Sequence, residues 1–274
     1  MGCELYNYPV MYPTDLTDSQ WQAIQEWLPI QVKTRKRKHS LRLIINAILY
    51  VAKAGIQWRM MPNDLPNWSL VYYYFRKWSA DGTVEKIHNQ LVIQVRLEAG
   101  REASPSLGLI DSQSVKSMSM TTQKGFDGNK KIQGRKRFIV TDVLGLLLAL
   151  SITEANVGER AGALVVLAKL GNRFSRLKTI LADQGFDGVE FIANVKLQFS
   201  LIMEVVCQVL GRSRVRVKGF TVLPKRWIVE RTFGWFSFHR RLSKDYEVKL
   251  THSEAFIYWT MIRIMSRKIR GTKT

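Results

Sequence analysis

Apolar residues recur with two different periods along this chain, and the change from one to the other falls near residue 100. In "LTDSQWQAIQEWLP" (16–29), Trp21, Ile24, Trp27 and Leu28 keep helical spacing until Pro29. Thr17 followed by Gln20 three residues on resembles a capping box, so a first helix is predicted here. "LRLIINAILYVAKAG" predicts a second, very apolar helix ending at Gly55, and "NWSLVYYYFRKWSADG" a third that stops at Asp81 and Gly82. Large aromatics usually bury, so Trp21, Trp27, Trp58 and Trp68 are expected in a helical core. Beyond "GREASPS" the pattern shifts to short runs rich in Ile, Val and Leu. Residues 107–115, 137–145, 146–155, 177–185 and 199–209 read as strands. Helical patterns occupy 159–171 and 187–196, followed by a basic, aromatic helix within 224–241 and a last helix from His252. Strands that begin as a hairpin and then alternate with helices predict a mixed α/β sheet covered by helices. The chain divides accordingly into a helical region (1–98), a linker (99–106) and an α/β region (107–274).

Charge narrows the partner. The 274 residues hold 42 Lys and Arg against 22 Asp and Glu, a formal charge of +20 that suits a polyanion. The positive groups are not spread evenly. Lys33, Arg35, Lys36, Arg37 and Lys38 occupy five of six positions that contain no acid, whereas a solvated face normally mixes signs, so this run suits phosphate contacts. Arg76 and Lys77 stand beside Tyr and Trp in the third helix. Three short helices with such groups can form a helix-turn-helix DNA reader; the alternative is a packing domain with a solvated linker. A membrane is disfavoured, since the longest apolar run, "VLGLLLALSI" (143–152), falls well short of the roughly 18 residues a span needs. The start, "MGCELYNYPV", lacks the features of a signal peptide, so a cytoplasmic, nucleoid-associated protein is expected. Cys3 and Cys207 sit in no CxxC or Cys/His arrangement and are read as ordinary thiols.

Three acids stand out. Asp111 lies toward the end of the first predicted strand of the α/β region and Asp183 at the same place on the fourth; strand ends are where ligands bind in open α/β sheets. Glu230 is the single acid in "PKRWIVERTFGWFSFHRR" (224–241), and Gly234 one turn on would allow close approach. If the three converge they repel unless neutralised, and hard oxygen ligands suit Mg²⁺ or Mn²⁺. Two such ions can activate a nucleophile and stabilise the leaving oxygen of a phosphodiester. Each acid also has a plain reading: an aspartate at a strand end is more often a turn or cap residue, and Glu230 can pair with Arg226 or Arg231. Asp187 reads as a helix N-cap, Asp142 in "TDVLG" as a hairpin-turn residue, and Glu204 remains a rival.

The motifs "LIDSQSVK", "GNKKIQGRKRFIVTDVLGLLLAL", "LADQGF", "LPKRWIVERTFGWF" and "RRLSKDYE" resemble, in order and spacing, the DDE transposases of bacterial insertion sequences, the group called IS five within an IS four-like superfamily. The amino-terminal helices resemble the DNA-binding domain that precedes that catalytic domain. The resemblance implies a ribonuclease-H-like mixed sheet flanked by helices, preceded by a small all-helical DNA-binding domain. It also implies a catalytic and metal-binding triad of Asp111, Asp183 and Glu230, with 72 and 47 residues between successive members. Related glutamate helices carry a Tyr, Arg, Glu, Lys signature. Arg226 matches its arginine, but Leu223 stands for the tyrosine and Ser237 for the lysine, leaving Arg240, Arg241 or Lys244 to supply the charge. Lys225, Arg226, Arg240, Arg241 and Lys244 join the earlier basic residues as expected DNA contacts. The implied reaction needs Mg²⁺ or Mn²⁺, two ions, and joins water-driven cleavage at terminal inverted repeats to attack of the freed 3′-hydroxyl on target DNA, by a homodimer or larger assembly. Alternatives are a repurposed DNA-binding protein without catalysis, or a metal-dependent endonuclease without strand transfer.

Overall fold

The computed structural model describes residues 12–29, 38–206 and 225–269, which form two compact units. The helical unit contains α1 (Asp18–Gln25), α2 (Leu41–Ala54), α3 (Trp68–Ala80) and α4 (Thr83–Glu98), together with residues 238–242 and the final helix from Ala255 onward. Its membership is therefore discontinuous in sequence, unlike the linear division at 98–107 suggested by the pattern. The expected capping box is present: Thr17 Oγ1 accepts from the Gln20 N–H, and Gln20 Oε1 accepts from the Thr17 N–H. Ser40 caps α2 by accepting from the Leu43 N–H at 3.2 Å. Gly55 ends α2 in the left-handed region, φ 73°, where a Cβ would stand 2.8 Å from Arg240 Cβ. The helix α4 extends the predicted set of three.

This unit's core includes buried Ile24, Ile45, Ile48, Phe75, Ile87 and Leu91, together with Phe256 and Trp259 of the last helix. Phe75 meets Phe256 at 4.6 Å between ring centroids and Trp78 meets Trp259 at 5.8 Å. Each such fully buried aromatic side chain stabilises by about 1.5–3 kcal/mol. The buried tryptophans are thus Trp78 and Trp259, whereas Trp21, Trp27, Trp58 and Trp68 are only half-buried. Trp58 lies against Tyr72 and Phe75 at the core margin, and Arg59 covers the Trp68 ring, so these two cover aromatic surface rather than fill the centre.

The second unit is a mixed sheet with helices. Its strands are β1 (Leu107–Lys116), β2 (Gly125–Asp127), β3 (Ile132–Thr141), β4 (Leu147–Glu154), β5 (Thr179–Ala182) and β6 (Ile202–Val205). β3 pairs antiparallel with β1 on one side and with β4 and the short β2 on the other; β5 and β6 then continue from β1 in parallel. A mixed sheet flanked by helices is what the resemblance implied. The remaining helices are α5 (Glu159–Leu170), α6 (Val189–Phe199), α7 (Arg226–Ser237) and α8 (Leu250–Ser266), the last shared between units. β2 escaped the sequence reading because three residues are too few to show a period. Asp142 makes the expected turn between β3 and β4, its Oδ1 accepting from the N–H groups of Leu144 and Leu146.

Each face of β1 has its own neighbours, because successive side chains alternate. Ser112 and Ser114 share the face covered by α5, where Gly162 lets that helix approach Phe138. There Ser114 Oγ donates to Asp127 Oδ2 at 2.5 Å, and Lys136 Nζ lies 3.5 Å from Asp127 and 3.4 Å from Glu159. Burial opposes ionisation of Asp127, but the Ser114 hydroxyl, the N–H of Lys130, the Lys136 charge and the N–H of Asn129 outweigh it and hold the carboxyl at about 2.

Candidate active site

The odd-numbered face of β1 carries Asp111. Backbone register decides its neighbour: β1 and β5 pair Leu107 with Thr179, Gly108 with Ile180 and Leu109 with Leu181. Those partners are 72 residues apart, and so are Asp111 and Asp183. The two acids therefore stand at one level of adjacent parallel strands, two residues beyond Leu109 and Leu181 and on the same face. All four residues line a cavity of about 300 Å³, with Val229 of α7 on its wall. Asp111 and Asp183 are half-buried. Asp111 Oδ1 accepts from the Ser112 N–H at 2.6 Å, while Asp183 Oδ1 accepts from the Gly185 N–H at 2.9 Å and caps the short 3-10 turn Gln184–Phe186. The cap role open to Asp183 is thus realised together with a place in the cavity.

The third acid arrives on α7, which packs against β1 and β3. Ile228, Val229, Thr232, Phe233 and Phe236 form its buried face, and Glu230 is exposed beside Val229. Among the described residues no group of three His, Cys, Asp or Glu side chains gathers closely enough to hold a metal ion. The fold thus brings the aspartates together and sets the glutamate's helix on the cavity wall without closing the three around one point. Two carboxylates still fit a small hard cation, which typically takes one or two from protein and completes its shell with water and phosphate oxygens. Among the described residues nothing lies within 4 Å of the position a Gly234 Cβ would take, so none of them makes the close approach anticipated there.

The placement of α7 depends on the β3–β4 turn, which the sequence reading did not connect with the site. Thr232 Oγ1 donates to the Gly145 carbonyl at 2.9 Å and Arg231 Nη2 to the Leu144 carbonyl at 2.9 Å. Gly145 has φ +77°, and a Cβ there would lie 3.0 Å from Thr232 Oγ1 and 3.2 Å from the Trp235 ring. The Arg231 guanidinium lies 4.7 Å from the Trp227 ring and 5.1 Å from that of Trp235, which explains the alternation of basic and aromatic residues in this helix. The "DVLG" turn and the spacing Trp227, Arg231, Trp235 were legible signals, though nothing in the sequence joined them. Farther along this sheet face Arg137 is buried, and burial brings its guanidinium down to about 10 although Asp245 opposes the shift. Arg137 donates to Gln113, and Arg135 binds Asp245 at 3.2 Å.

Two family models match the chain: one described as "Transposase DDE domain" over residues 102–265, and one described as "Putative transposase of IS4/5 family" over residues 16–88. The chain belongs to the transposase DDE domain family. Its sheet order agrees with the ribonuclease-H-like fold of that domain, and members of the family generally depend on a divalent metal. Among relatives, the "Insertion element IS402 uncharacterized 16.2 kDa protein" of Burkholderia cepacia is 29% identical over 111 residues, 38% of this chain and 74% of that protein. The "Putative transposase for insertion sequence element IS402" of the same organism is 28% identical over 131 residues, 45% of this chain and 59% of that protein. The chain thus spans less than two thirds of the length of that second relative.

For a transposase, the positions of the basic residues matter next. Lys33, Arg35, Lys36 and Arg37 lie outside the described residues, as do Leu223 and the side chain of Arg226. Lys38, Arg76, Lys77, Lys225 and Arg240 are exposed, and Lys244 is half-buried. Arg241 is only 8% exposed, donates to the Ile56 carbonyl at 3.1 Å and covers the Phe256 ring at 5.2 Å, so it fastens the 238–242 segment within the helical unit. Asp187 is not the N-cap of α6; that position is Gly188, whose N–H donates to Asp187 Oδ1. No helix among the described residues is long and apolar enough to cross a membrane.

Proposed function

We propose that this protein is the transposase of an insertion element: it binds double-stranded DNA at terminal inverted repeats and catalyses metal-dependent strand cleavage and strand transfer. The register-matched pair Asp111 and Asp183, facing one cavity in a chain of the DDE family, is the observation that carries this reading. Asp111 and Asp183 hold the divalent ion, Mg²⁺ or Mn²⁺, with Glu230 as the third carboxylate. When bound, such ions neutralise the charge that builds on a phosphodiester during displacement.

The chain's own groups do the rest. Carboxylates on adjacent strands keep their separation through the backbone hydrogen bonds of the sheet. Glu230 is exposed on the helix whose Val229 forms part of the cavity wall, which supports its assignment as the third acid. The exposed basic residues Lys38, Arg76, Lys77, Lys225 and Arg240 supply phosphate contacts, and action on two DNA ends calls for at least a dimer. The test is cleavage of a plasmid carrying this gene's flanking DNA in Mg²⁺. Breaks at defined ends and joined products are expected from the intact protein, and neither from Asp183→Asn, which still binds DNA. Breaks without joined product would reduce the function to that of an endonuclease. Cleavage that survives Asp183→Asn would remove the assigned site.

A further inference from the structure

The helical unit contains a group of cations that neither the cavity nor the basic run at 33–38 accounts for. Lys53 lies in the last turn of α2, Arg240 in the turn that packs on that helix, Arg263 in α8, and Arg267 just past its end. Lys53 Nζ donates to the Phe238 carbonyl at 2.6 Å and Arg263 Nη2 to the Pro13 carbonyl at 3.0 Å. Both acceptors are neutral, so these bonds fix the side chains without cancelling their charge. The charges also oppose one another. Burial lowers the Lys53 pKa, and Arg263, Arg267 and Arg240 lower it further. Burial depresses Arg263, and Arg267 adds to this.

The ordinary account is that cations collect at the carbonyl end of a helix, where the backbone dipole favours them. It covers Lys53 and Arg240 beside the end of α2. Taken helix by helix it also covers Arg263 and Arg267, in and just past the last turn of α8, but it does not explain why the ends of two helices are set close enough for the four charges to oppose one another. A fold that assembles like charges from three segments and anchors two of them on carbonyls has formed a surface suited to an anion.

We infer that Lys53, Arg240, Arg263 and Arg267 form a contact for the phosphate backbone of double-stranded DNA on the helical unit, in addition to the basic run at 33–38. The exposed Arg240 and Arg267 and the half-buried Lys53 make the contacts, while buried Arg263 adds charge beneath them. The inference rests on the proposal that the protein binds DNA.

The test measures binding of the full chain to a mixed-sequence DNA duplex in the absence of metal, over a range of salt concentrations. Each phosphate contact contributes about 0.9 to the slope of log affinity against log salt. The K53Q/R267Q variant should therefore show a slope shallower by about 2, with a thermal midpoint unchanged or raised because two repelling charges are gone. An unchanged slope would overturn this inference and leave the DNA-binding proposal standing. If the intact protein shows no salt-dependent binding, both fail. Should K53Q/R267Q lose stability, R267Q alone, altered at an exposed position, must still lower the slope by about 1, or the contact is refuted. Phosphatidylglycerol vesicles are the second probe. Binding to them that needs Lys53 and Arg267, with the DNA slope unaltered, would reassign the surface to membrane and overturn the DNA contact.

Discussion

Asp127 and the pair Asp111 and Asp183 are acids of one sheet with opposite surroundings. Asp127 is 5% exposed and lies within a network made by the chain itself: burial raises its pKa, yet Ser114, Lys130, Lys136 and Asn129 bring it down to about 2. Asp111 and Asp183 stand half-buried at a cavity wall on adjacent strands, where like charges side by side are unfavourable. An acid whose charge the fold satisfies adds to stability. Asp111 and Asp183, each accepting a backbone N–H, face open space instead, where the proposed metal ion would sit.

Substitutions can break this contrast, and the largest effect is expected at the cavity. Asp111→Asn should abolish metal-dependent cleavage with the urea midpoint unchanged or raised; a fall in stability of the size seen for a buried ion pair would place Asp111 in the structural class. Next is the docking of α7. Gly145→Val forces a β-branched residue into the left-handed region and against Thr232 and Trp235, and should cost about 2–4 kcal/mol in unfolding free energy. Cleavage per folded molecule should also fall while DNA binding persists. Arg241→Gln should cost about 1–2 kcal/mol through the lost carbonyl bond and ring contact, with the salt dependence of DNA binding unaltered.

The smallest expected effect at neutral pH is also the most selective. The folded Asp127 carboxyl, at about 2, lies below its ordinary value of 3.8. Its contribution is therefore complete above that ordinary value and is lost as pH falls toward 2. Thermal midpoints across this window should drop more steeply for the intact protein than for Asp127→Asn, while cleavage near neutral pH follows only the folded fraction. Parallel pH profiles would remove Asp127 from the stabilising network.

Much of the fold was legible in sequence because it rests on local chemistry. The Thr17 and Gln20 capping box, the Gly55 stop and the Asp142 turn each depend on residues within a few positions of one another, and each formed as expected. The tryptophans of the helical unit were less legible. Trp58 and Trp68 share the composition of Trp78, but burial depends on which helix faces the partner, and only assembly with the last helix settles that. The surroundings of Arg241 were hidden for the same reason: its neighbours Ile56 and Phe256 are remote in sequence, so its charge was visible and its burial was not.

The sequence alone determined the two textures of the chain, the Thr17 cap and the Gly55 stop, the family resemblance and the three acids as candidates, since motif chemistry and periodicity are written in the order of residues. Tertiary structure decided that most of the last helix belongs to the helical unit, that α7 is anchored by Gly145, and that Asp111 and Asp183 stand at one level. The interval of 72 residues has no meaning along the chain. It acquires one when β1 and β5 pair in parallel, because backbone hydrogen bonds then convert a difference in residue number into adjacency in space.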